Sequence, residues 1–403
     1  MTIPAVISVP QSAMPSVLVG GIPLLIRHIK TLYALGVRTF YCSGLTRLPV
    51  ARHARLPAEA VVHMLPASDS TLPQHVQSIA AAHGGEVLFV RGDCLLDPRL
   101  YRELLRRPLP QWVAPPSDQE TPLPAAARLP LAACRLWAEA RLDSWLQSSA
   151  ELHPGSLETY SPSHRGPVPV YLERVTTPEE AAHATQTLIR SAQKHALDLP
   201  ALLVHPFFEN RLVAWLCDTP VTPNQVSLFT GLLGAGVAYL FLHGWLRLGI
   251  VLAQVVAVLD GVDGKLARTR LQTSRLGELE HILDFFVEHG WYLTITLFVV
   301  TSTQDMQLWW IGGALMALDL VDNLLYSLGH LWFQKQLDEL GPFDRRFRLL
   351  AGRRNIYIWV CLVGFWAGAP VQSLTVSCAW AGLTVLIHGA RLLYHRCGAL
   401  ATT

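Results

Sequence analysis

The segment that decides the fold of this chain runs from Val255 to Leu293 and reads VVAVLDGVDGKLARTRLQTSRLGELEHILDFFVEHGWYL. Both of its ends are apolar enough for a membrane interior, yet the segment contains a series of carboxylates. They are Asp260, Asp263, Glu280, Asp284 and Glu288. An ionised carboxylate in hydrocarbon costs several kcal/mol, so each must face a partner or water. The segment therefore predicts a polar site between two membrane helices.

The spacing of these carboxylates places them on two helix faces. Asp260 and Asp263 are three positions apart and share one face. Glu280, Asp284 and Glu288 follow each other at intervals of four and share another. A short turn makes the two helices antiparallel neighbours, so the acidic faces repel each other unless a positive charge lies between them. Oxygen ligands of this kind suit Mg²⁺, Mn²⁺ or Ca²⁺.

The alternative is that the carboxylates pair with basic side chains in a solvated turn. The candidate partners are Lys265, Arg268 and Arg275. Asp260 and Asp284 lie too far into their helices for such a turn to reach them. A divalent-metal site is therefore the favoured interpretation.

The composition of the chain agrees with a membrane protein. Of its 403 residues, 51% are hydrophobic and 15% are charged, whereas soluble domains carry about 25% charged residues. The seven cysteines show no metal-binding spacing and are compatible with a reducing compartment. The net charge of +2 indicates no class of partner, and we expect no nucleic acid. The N-terminus lacks a basic region before its apolar run, so no signal peptide is expected.

The chain divides into two halves with different patterns. Residues 1–200 alternate short apolar runs with amphipathic stretches, which predicts an α/β domain. Residues 201–403 predict an all-α transmembrane bundle of six helices, since a helix needs about 20 residues to cross the bilayer. The expected spans are 223–244, 247–268, 276–300, 308–330, 355–372 and 374–395. An amphipathic helix from Pro206 is expected at the bilayer surface.

The arginines predict the orientation of the bundle. They cluster between spans two and three and between spans four and five, which places both turns in the cytoplasm. An even number of spans returns both termini to that side. The N-terminal domain and the carboxylate site are therefore expected on the cytoplasmic face of the bilayer.

The carboxylate segment resembles the CDP-alcohol phosphotransferase (CDP-alcohol phosphatidyltransferase) family. Members of that family carry D-x2-D-G-x2-A-R-x8-G-x3-D-x3-D on their second and third transmembrane helices. Here the match is complete from Asp260 to Arg268 and at Gly277. His281 and Phe285 then stand at the positions of the third and fourth aspartates. Glu280 and Asp284 stand one residue earlier with the right mutual spacing, which a one-residue deletion after Gly277 would explain.

This resemblance implies transfer of a phosphoryl-alcohol group from a CDP-linked donor to an acceptor hydroxyl, with release of CMP. It implies that Asp260, Asp263, Glu280 and Asp284 hold Mg²⁺ or Mn²⁺, as two ions, and that Asp284 is the base. A rival register completes the metal site with Asp284 and Glu288. The nucleotide pocket is expected to contain Asp263, Gly264, Ala267, Arg268 and Gly277. A homodimer is left open.

The segment FDRRFRLLAGRRN resembles family members with an attached nucleotidyltransferase-like domain. Its Arg353 and Arg354 either bind an anionic group of a substrate or only anchor the bundle on its positive side. The resemblance implies that the donor is CDP-diacylglycerol or a CDP-polyol, with a slight preference for an inositol-phosphate-like acceptor.

Residues 1–200 resemble sugar-nucleotide-type nucleotidyltransferases. The Gly-rich phosphate loop and its arginine are missing, and Ile22 stands where the lysine is expected, although Asp93 is kept. We therefore expect a degenerate domain with a docking or regulatory role. The alternatives are an active cytidylyltransferase, which would make the protein bifunctional, an ion transporter, and a non-catalytic membrane relative.

Overall fold

A computed structural model of the chain describes most of its residues. The described ranges are 3–10, 17–49, 55–66, 69–106, 111–116, 123–195, 197–272 and 277–401.

The N-terminal half is built on a mixed seven-stranded sheet. Its strands and those of three short ribbons are β1 (Ala5–Ser8), β2 (Leu18–Val19), β3 (Ile22–Pro23), β4 (Thr39–Ser43), β5 (Val61–Met64), β6 (Glu86–Arg91), β7 (Cys94–Leu96), β8 (Gln111–Val113), β9 (Ala126–Pro130), β10 (Ala150–Glu151), β11 (Tyr160–Ser161), β12 (Gly166–Pro167) and β13 (Leu172–Arg174). The sheet order is β10-β8-β9-β6-β1-β4-β5. β1 pairs in parallel with β4 and β6, whereas β9 is antiparallel to both of its neighbours.

Helices cover both faces of this sheet. They are α1 (Leu24–Ala34), α2 (Leu72–Ala82), α3 (Pro98–Arg106), α4 (Leu131–Ala138), α5 (Leu142–Ser148) and α6 (Pro178–Ser191). Successive strand residues point to opposite faces, so Ile7 packs in a core with α1 and α3, and Val6 packs in a second core with α2 and α4. The predicted α/β architecture is confirmed.

The C-terminal half is helical throughout its described residues. The helices are α7 (Leu199–Leu203), α8 (His205–Cys217), α9 (Pro223–Leu242), α10 (Leu246–Thr269), α11 (Gly277–Thr303), α12 (Leu308–Phe333), α13 (Pro342–Phe347), α14 (Arg354–Trp366) and α15 (Pro370–Ala401). α9 begins as its sequence predicts. The Thr222 hydroxyl accepts a hydrogen bond from the backbone N–H of Gln225, and Oε1 of Gln225 accepts one from the backbone N–H of Thr222. Pro223 is the first helical residue.

Four segments of the described chain are long and apolar enough to cross a membrane. They are Pro223–Leu242, Leu283–Thr303, Leu308–Phe333 and Pro370–Gly398. The other two expected spans are also helices, but α10 is more polar and α14 has 13 residues, about 20 Å of helix against a hydrocarbon core of about 30 Å. α14 is shorter than predicted because Gly368, with φ +72°, turns the chain before Pro370 begins α15.

The two halves are in direct contact. The passage 153–170, which its prolines and glycines predict to be a surface loop or linker, contains β11 and β12 and reaches the segment after α12. The Arg165 guanidinium lies 2.5 Å from an Asp338 oxygen, and the Tyr160 hydroxyl donates to Glu339 at 2.5 Å. The N-terminal domain therefore docks against the face of the bundle that carries the arginine-rich segment 345–354.

Candidate active site

Carboxylates of α10 and α11 meet at a small cavity in the helical half. Asp260, Asp263 and Asp284 line this small cavity of about 20 Å³, together with Ser227 of α9 and Arg354 of α14. The Asp263 side chain is buried, and one of its oxygens accepts a hydrogen bond of 2.6 Å from the Ser227 hydroxyl. The predicted meeting of the two acidic faces is thus seen for these three aspartates.

An arginine from a distant helix lies between the two acidic faces. Nη2 of Arg354, the first residue of α14, is 2.5 Å from Oδ2 of Asp260, and its Nη1 is 4.0 Å from Oδ1 of Asp284. The three carboxylates that line the small cavity repel one another, so they favour additional positive charge between them. A divalent ion would supply it.

The donor set fits a hard divalent ion, since it consists of carboxylate oxygens around one cavity. Among the described side chains, however, no group of three or more His, Cys, Asp or Glu is gathered closely enough to hold a metal. The Glu280 side chain, a predicted fourth ligand, lies outside the described part of the chain. Metal binding at Asp260, Asp263, Glu280 and Asp284 stays a prediction.

The alternative pairing with neighbouring basic residues is wrong for Lys265. Its side chain is buried, and Nζ lies 2.7 Å from a Glu209 oxygen and 2.8 Å from the Asn210 side-chain oxygen, both on α8. Arg268 donates from Nε to the Ala192 carbonyl at 2.9 Å, and Arg275 lies outside the described residues. Lys265 therefore fastens α10 to α8 and does not neutralise the aspartates.

The small residues of the motif lie on the same stretch of α10. A Cβ added to Gly264 would be 3.1 Å from Nη1 of Arg268, so the glycine leaves room for that guanidinium along the helix. Ala267 is half-buried, and Gly277 is the first residue of α11. Their role in a nucleotide pocket stays a prediction.

A large polar cavity of about 290 Å³ adjoins the small one, because Asp284 and Arg354 line both. Its lining residues are Asp198, Asp284, Glu288, Asp319, Asp322, Asn323, Arg348, Arg353, Arg354 and Asn355. Such a mixture of carboxylates, amides and guanidinium groups can bind both hydroxyl groups and anions.

Two arginines of the large cavity have buried N–H groups that could donate hydrogen bonds to a ligand. Nε and Nη1 of Arg348 and Nε of Arg353 are buried and have no hydrogen-bond partner among the described residues. Burial, followed by the charge of Arg353, lowers the pKa of Arg348 to about 10, so it stays charged at neutral pH. A phosphate would satisfy these donors and the charge together.

The acidic residues of α12 were not predicted as site residues. Asp319 and Asp322 are three positions apart in an apolar helix, which is the same signal that identified Asp260 and Asp263. In the structure Asp322 lies 2.5 Å from Nδ1 of buried His388, and Asp319 accepts from the Asn323 amide at 3.2 Å. Asp198, Arg348 and Asn355 had no comparable local signal.

The two registers for α11 differ in where their acids lie. Asp284 is beside Asp260 and Asp263, whereas Glu288 lines only the large cavity and accepts a hydrogen bond of 2.5 Å from the Tyr292 hydroxyl. Asp284, which both registers share, is therefore, of the described α11 carboxylates, the one that lies at the small cavity. The choice between Glu280 and Glu288 stays open.

Comparison with known proteins agrees with this site. Residues 220–387 match the family model for CDP-alcohol phosphatidyltransferase. The chain carries a CDP-alcohol phosphatidyltransferase domain. This domain contains the motif from Asp260 to Arg268, Arg354 and all the lining residues of the two cavities except Asp198. It follows an N-terminal α/β domain, as in the two-domain type that the sequence predicts.

Three known proteins show the extent of the similarity. A "Bifunctional IPC transferase and DIPP synthase" from Rubrobacter xylanophilus is 48% identical over 163 residues, which are 40% of this chain and 35% of that protein. One of the same name from Thermococcus kodakarensis is 37% identical over 148 residues, 36% of this chain and 32% of that protein. The chain thus spans about a third of the length of these relatives. The crystal structure of HddC from Yersinia pseudotuberculosis covers 46% of this chain and 99% of its own at 12% identity, with a TM-score of 0.28.

The N-terminal domain holds Asp93 in ion pairs. Asp93 is fully buried, with Nη2 of Arg91 at 2.6 Å and Nε of Arg174 at 3.7 Å from its oxygens. Ile22, at the position expected for a lysine, is buried in β3. Asp93 is thereby already neutralised by two guanidinium groups.

Proposed function

We propose that this protein is an integral membrane transferase that moves a phosphoryl-alcohol group from a CDP-linked donor to an acceptor hydroxyl and releases CMP. The match of residues 220–387 to the CDP-alcohol phosphatidyltransferase family carries this proposal. The shared cavity of Asp260, Asp263 and Asp284 supports it.

Mg²⁺ or Mn²⁺ would be held by Asp260, Asp263, Glu280 and Asp284, as two ions. When bound, such ions neutralise the pyrophosphate of the donor and the charge of the leaving CMP. The donor oxygens around the small cavity fit ions of this class.

Side chains of the protein would take up the proton and bind the substrates. Asp284 lines both cavities, so it lies where it could take a proton from an acceptor hydroxyl held in the large cavity. Arg353, together with Arg354, would bind an anionic group of the donor or acceptor. Gly264, Ala267 and Arg268 would line the nucleotide pocket on α10, with Gly277 at the start of α11.

The large cavity supports an acceptor that carries both hydroxyl groups and a phosphate. Its unpartnered Arg348 and Arg353 donors suit a phosphate, and its carboxylates and amides suit hydroxyl groups. An inositol-phosphate-like acceptor has this chemistry. The donor is CDP-diacylglycerol or a CDP-polyol.

The bundle would cross the bilayer with six helices, α14 and α10 completing the four apolar ones. Phe207, Phe208 and Trp215 are exposed along α8 and would lie in the bilayer surface. The arginine-rich turns support a cytoplasmic position of the N-terminal domain and the site.

A second candidate is a bifunctional enzyme whose N-terminal domain forms the CDP-alcohol. The names of the relatives favour it, since they describe those proteins as bifunctional. The pairing of Asp93 with Arg91 and Arg174 favours a domain without nucleotidyl transfer, because a metal at Asp93 would have to displace both guanidinium groups.

The decisive experiment is CMP release by the purified full-length protein with CDP-diacylglycerol and with CDP-polyols, with and without Mg²⁺. We expect release that requires the metal and is abolished by Asp260→Asn and by Asp263→Asn. Asp305→Asn, at an exposed turn between α11 and α12, is the matched control and should keep full activity. Full activity of either motif variant would contradict the assignment, and metal-dependent thermal stabilisation gives a second readout.

A further inference from the structure

A two-glycine turn of the N-terminal domain is wedged against the transferase domain. Gly20 and Gly21 connect β2 to β3 with φ +59° and φ +78°, the left-handed conformation that a two-residue hairpin turn of this type requires. A Cβ on Gly20 would be 2.9 Å from Cγ2 of Thr269, at the end of α10, and one on Gly21 would overlap the carbonyl oxygen of Cys217, at the end of α8. Only glycine fits at both positions.

Arg27 fixes this turn to α10. Its buried guanidinium donates from Nη2 to the Val19 carbonyl at 2.8 Å and to the Thr269 carbonyl at 2.6 Å. Thr269 is the last residue of α10, and the last carbonyls of a helix have no partner within it. A cation there also faces the negative end of the helix dipole. Arg27 therefore caps α10 from the other domain.

Arg270, directly after α10, binds the backbone at the end of α8 and before α9, next to the two-glycine turn. Its side chain is fully buried and donates to the carbonyls of Leu216, of Cys217 at 3.0 Å, of Thr219 at 2.8 Å and of Val221 at 2.5 Å. These carbonyls lie in the last turn of α8 and in the connection from α8 to α9. The ends of α8 and α10 and the approach to α9 thus meet around the two-glycine turn.

We propose that Arg27 is a positioning residue for the transferase site and that the N-terminal domain is a required part of the transferase. Thr269 follows Asp263 by less than two turns of helix, so a shift at the capped end moves the carboxylate face. The expected effect on CMP release rests on the proposed function, whereas the contact between Arg27 and the end of α10 does not.

The first test compares Arg27→Met, Arg27→Lys and Arg102→Met in the full-length protein. Arg102 is exposed on α3 and serves as the control. We expect Arg27→Met to raise the Mg²⁺ concentration for half-maximal CMP release about tenfold, the scale of a partly buried cation at a helix end. Arg27→Lys should recover part of this loss. A fall in maximal rate with unchanged metal dependence would show a merely structural role and overturn the proposal.

The second test separates docking from backbone strain and needs no activity. Gly21→Ala is compared with Gly36→Ala, because Gly36 also has a positive φ, +102°, but no atom lies within 4 Å of its added Cβ. We expect hydrogen–deuterium exchange of residues 264–272 to accelerate in Gly21→Ala and to stay unchanged in Gly36→Ala. Equal exchange in the two variants would refute the proposal that the two-glycine turn holds the end of α10 in place. If the wild type releases no CMP from any donor, the proposed function fails, and the exchange comparison still decides this contact.

Discussion

Lys265 and Glu209 form a buried ion pair that joins α10 to α8, and it yields a quantitative prediction. Their charged atoms are 2.7 Å apart, and their side chains are 2% and 6% exposed. Gly261 permits this approach, because a Cβ there would overlap a Glu209 oxygen. Lys265 also donates to Asn210 at 2.8 Å. Removing either partner strands a charge in a site that water does not reach.

Lys265→Met and Glu209→Met should each destabilise the protein by about 3–5 kcal/mol, since that is the cost of leaving one buried charge unpaired. The double variant strands no charge and keeps most of the volume, so its cost should fall to about 1 kcal/mol. At about 2–4 °C per kcal/mol for a domain of this size, each single change lowers the Tm by roughly 10 °C. The double variant should recover most of that loss.

The assay is thermal unfolding of the purified variants in one detergent, followed by tryptophan fluorescence. Lys335→Met is the matched control, since Lys335 is exposed and its replacement should leave the Tm within about 2 °C. A double variant whose Tm falls by the sum of the two single shifts would refute the reasoning. The two side chains would then contribute independently and not as a pair.

Three further predictions concern the acidic residues of α11, the activity of the N-terminal domain and the buried residue His28. Glu280→Gln and Asp284→Asn should both abolish CMP release, whereas Glu288→Gln should keep most of it. A fragment of residues 1–200 should release no pyrophosphate from CTP with any phosphorylated polyol, because it lacks the phosphate loop and its Asp93 is already paired. In the folded protein, burial and then the charge of Arg27 lower the pKa of His28 to about 3 from its usual 6.5. This shift should cost the wild type about 2 kcal/mol of folding stability when the pH falls from 7 to 5. The variant His28→Gln should not show this loss.

Each of these has an outcome that contradicts it. Loss of activity in Glu288→Gln with full activity in Glu280→Gln would establish the rival register. Pyrophosphate release that disappears in Asp93→Asn would make the protein bifunctional. For His28, the unfolded chain is protonated below pH 6.5 while the folded form is not, so stability should fall with acidification in the wild type. An equal fall in His28→Gln, measured as Tm against pH beside an exposed-histidine control, His153→Gln, would exclude this cause.

Features set by local spacing were predictable from the sequence. The interval between Asp260 and Asp263 on one helix, and the four-residue intervals around Asp284 on the next, predicted two acidic faces, because helix periodicity alone decides which residues share a face. Thr222 and Pro223 marked the start of α9 for an equally local reason, since capping depends on neighbouring backbone groups. Asp319 and Asp322 carried the same intramembrane signal and were predictable in principle.

Which partners those faces meet was decided by the tertiary structure. Arg354 reaches Asp260 from 94 positions away, and Arg27 reaches Thr269 from 242 positions away. Lys265 lies within the motif, yet its side chain pairs with Glu209 on α8, and Arg354 is the guanidinium that contacts Asp260. The sequence determined that these charges had to be compensated, because an unpaired buried charge is too costly. Only the packing of α8, α10 and α14 determined which side chain compensates each one, because the rotation of a helix against its neighbours depends on contacts along its whole length.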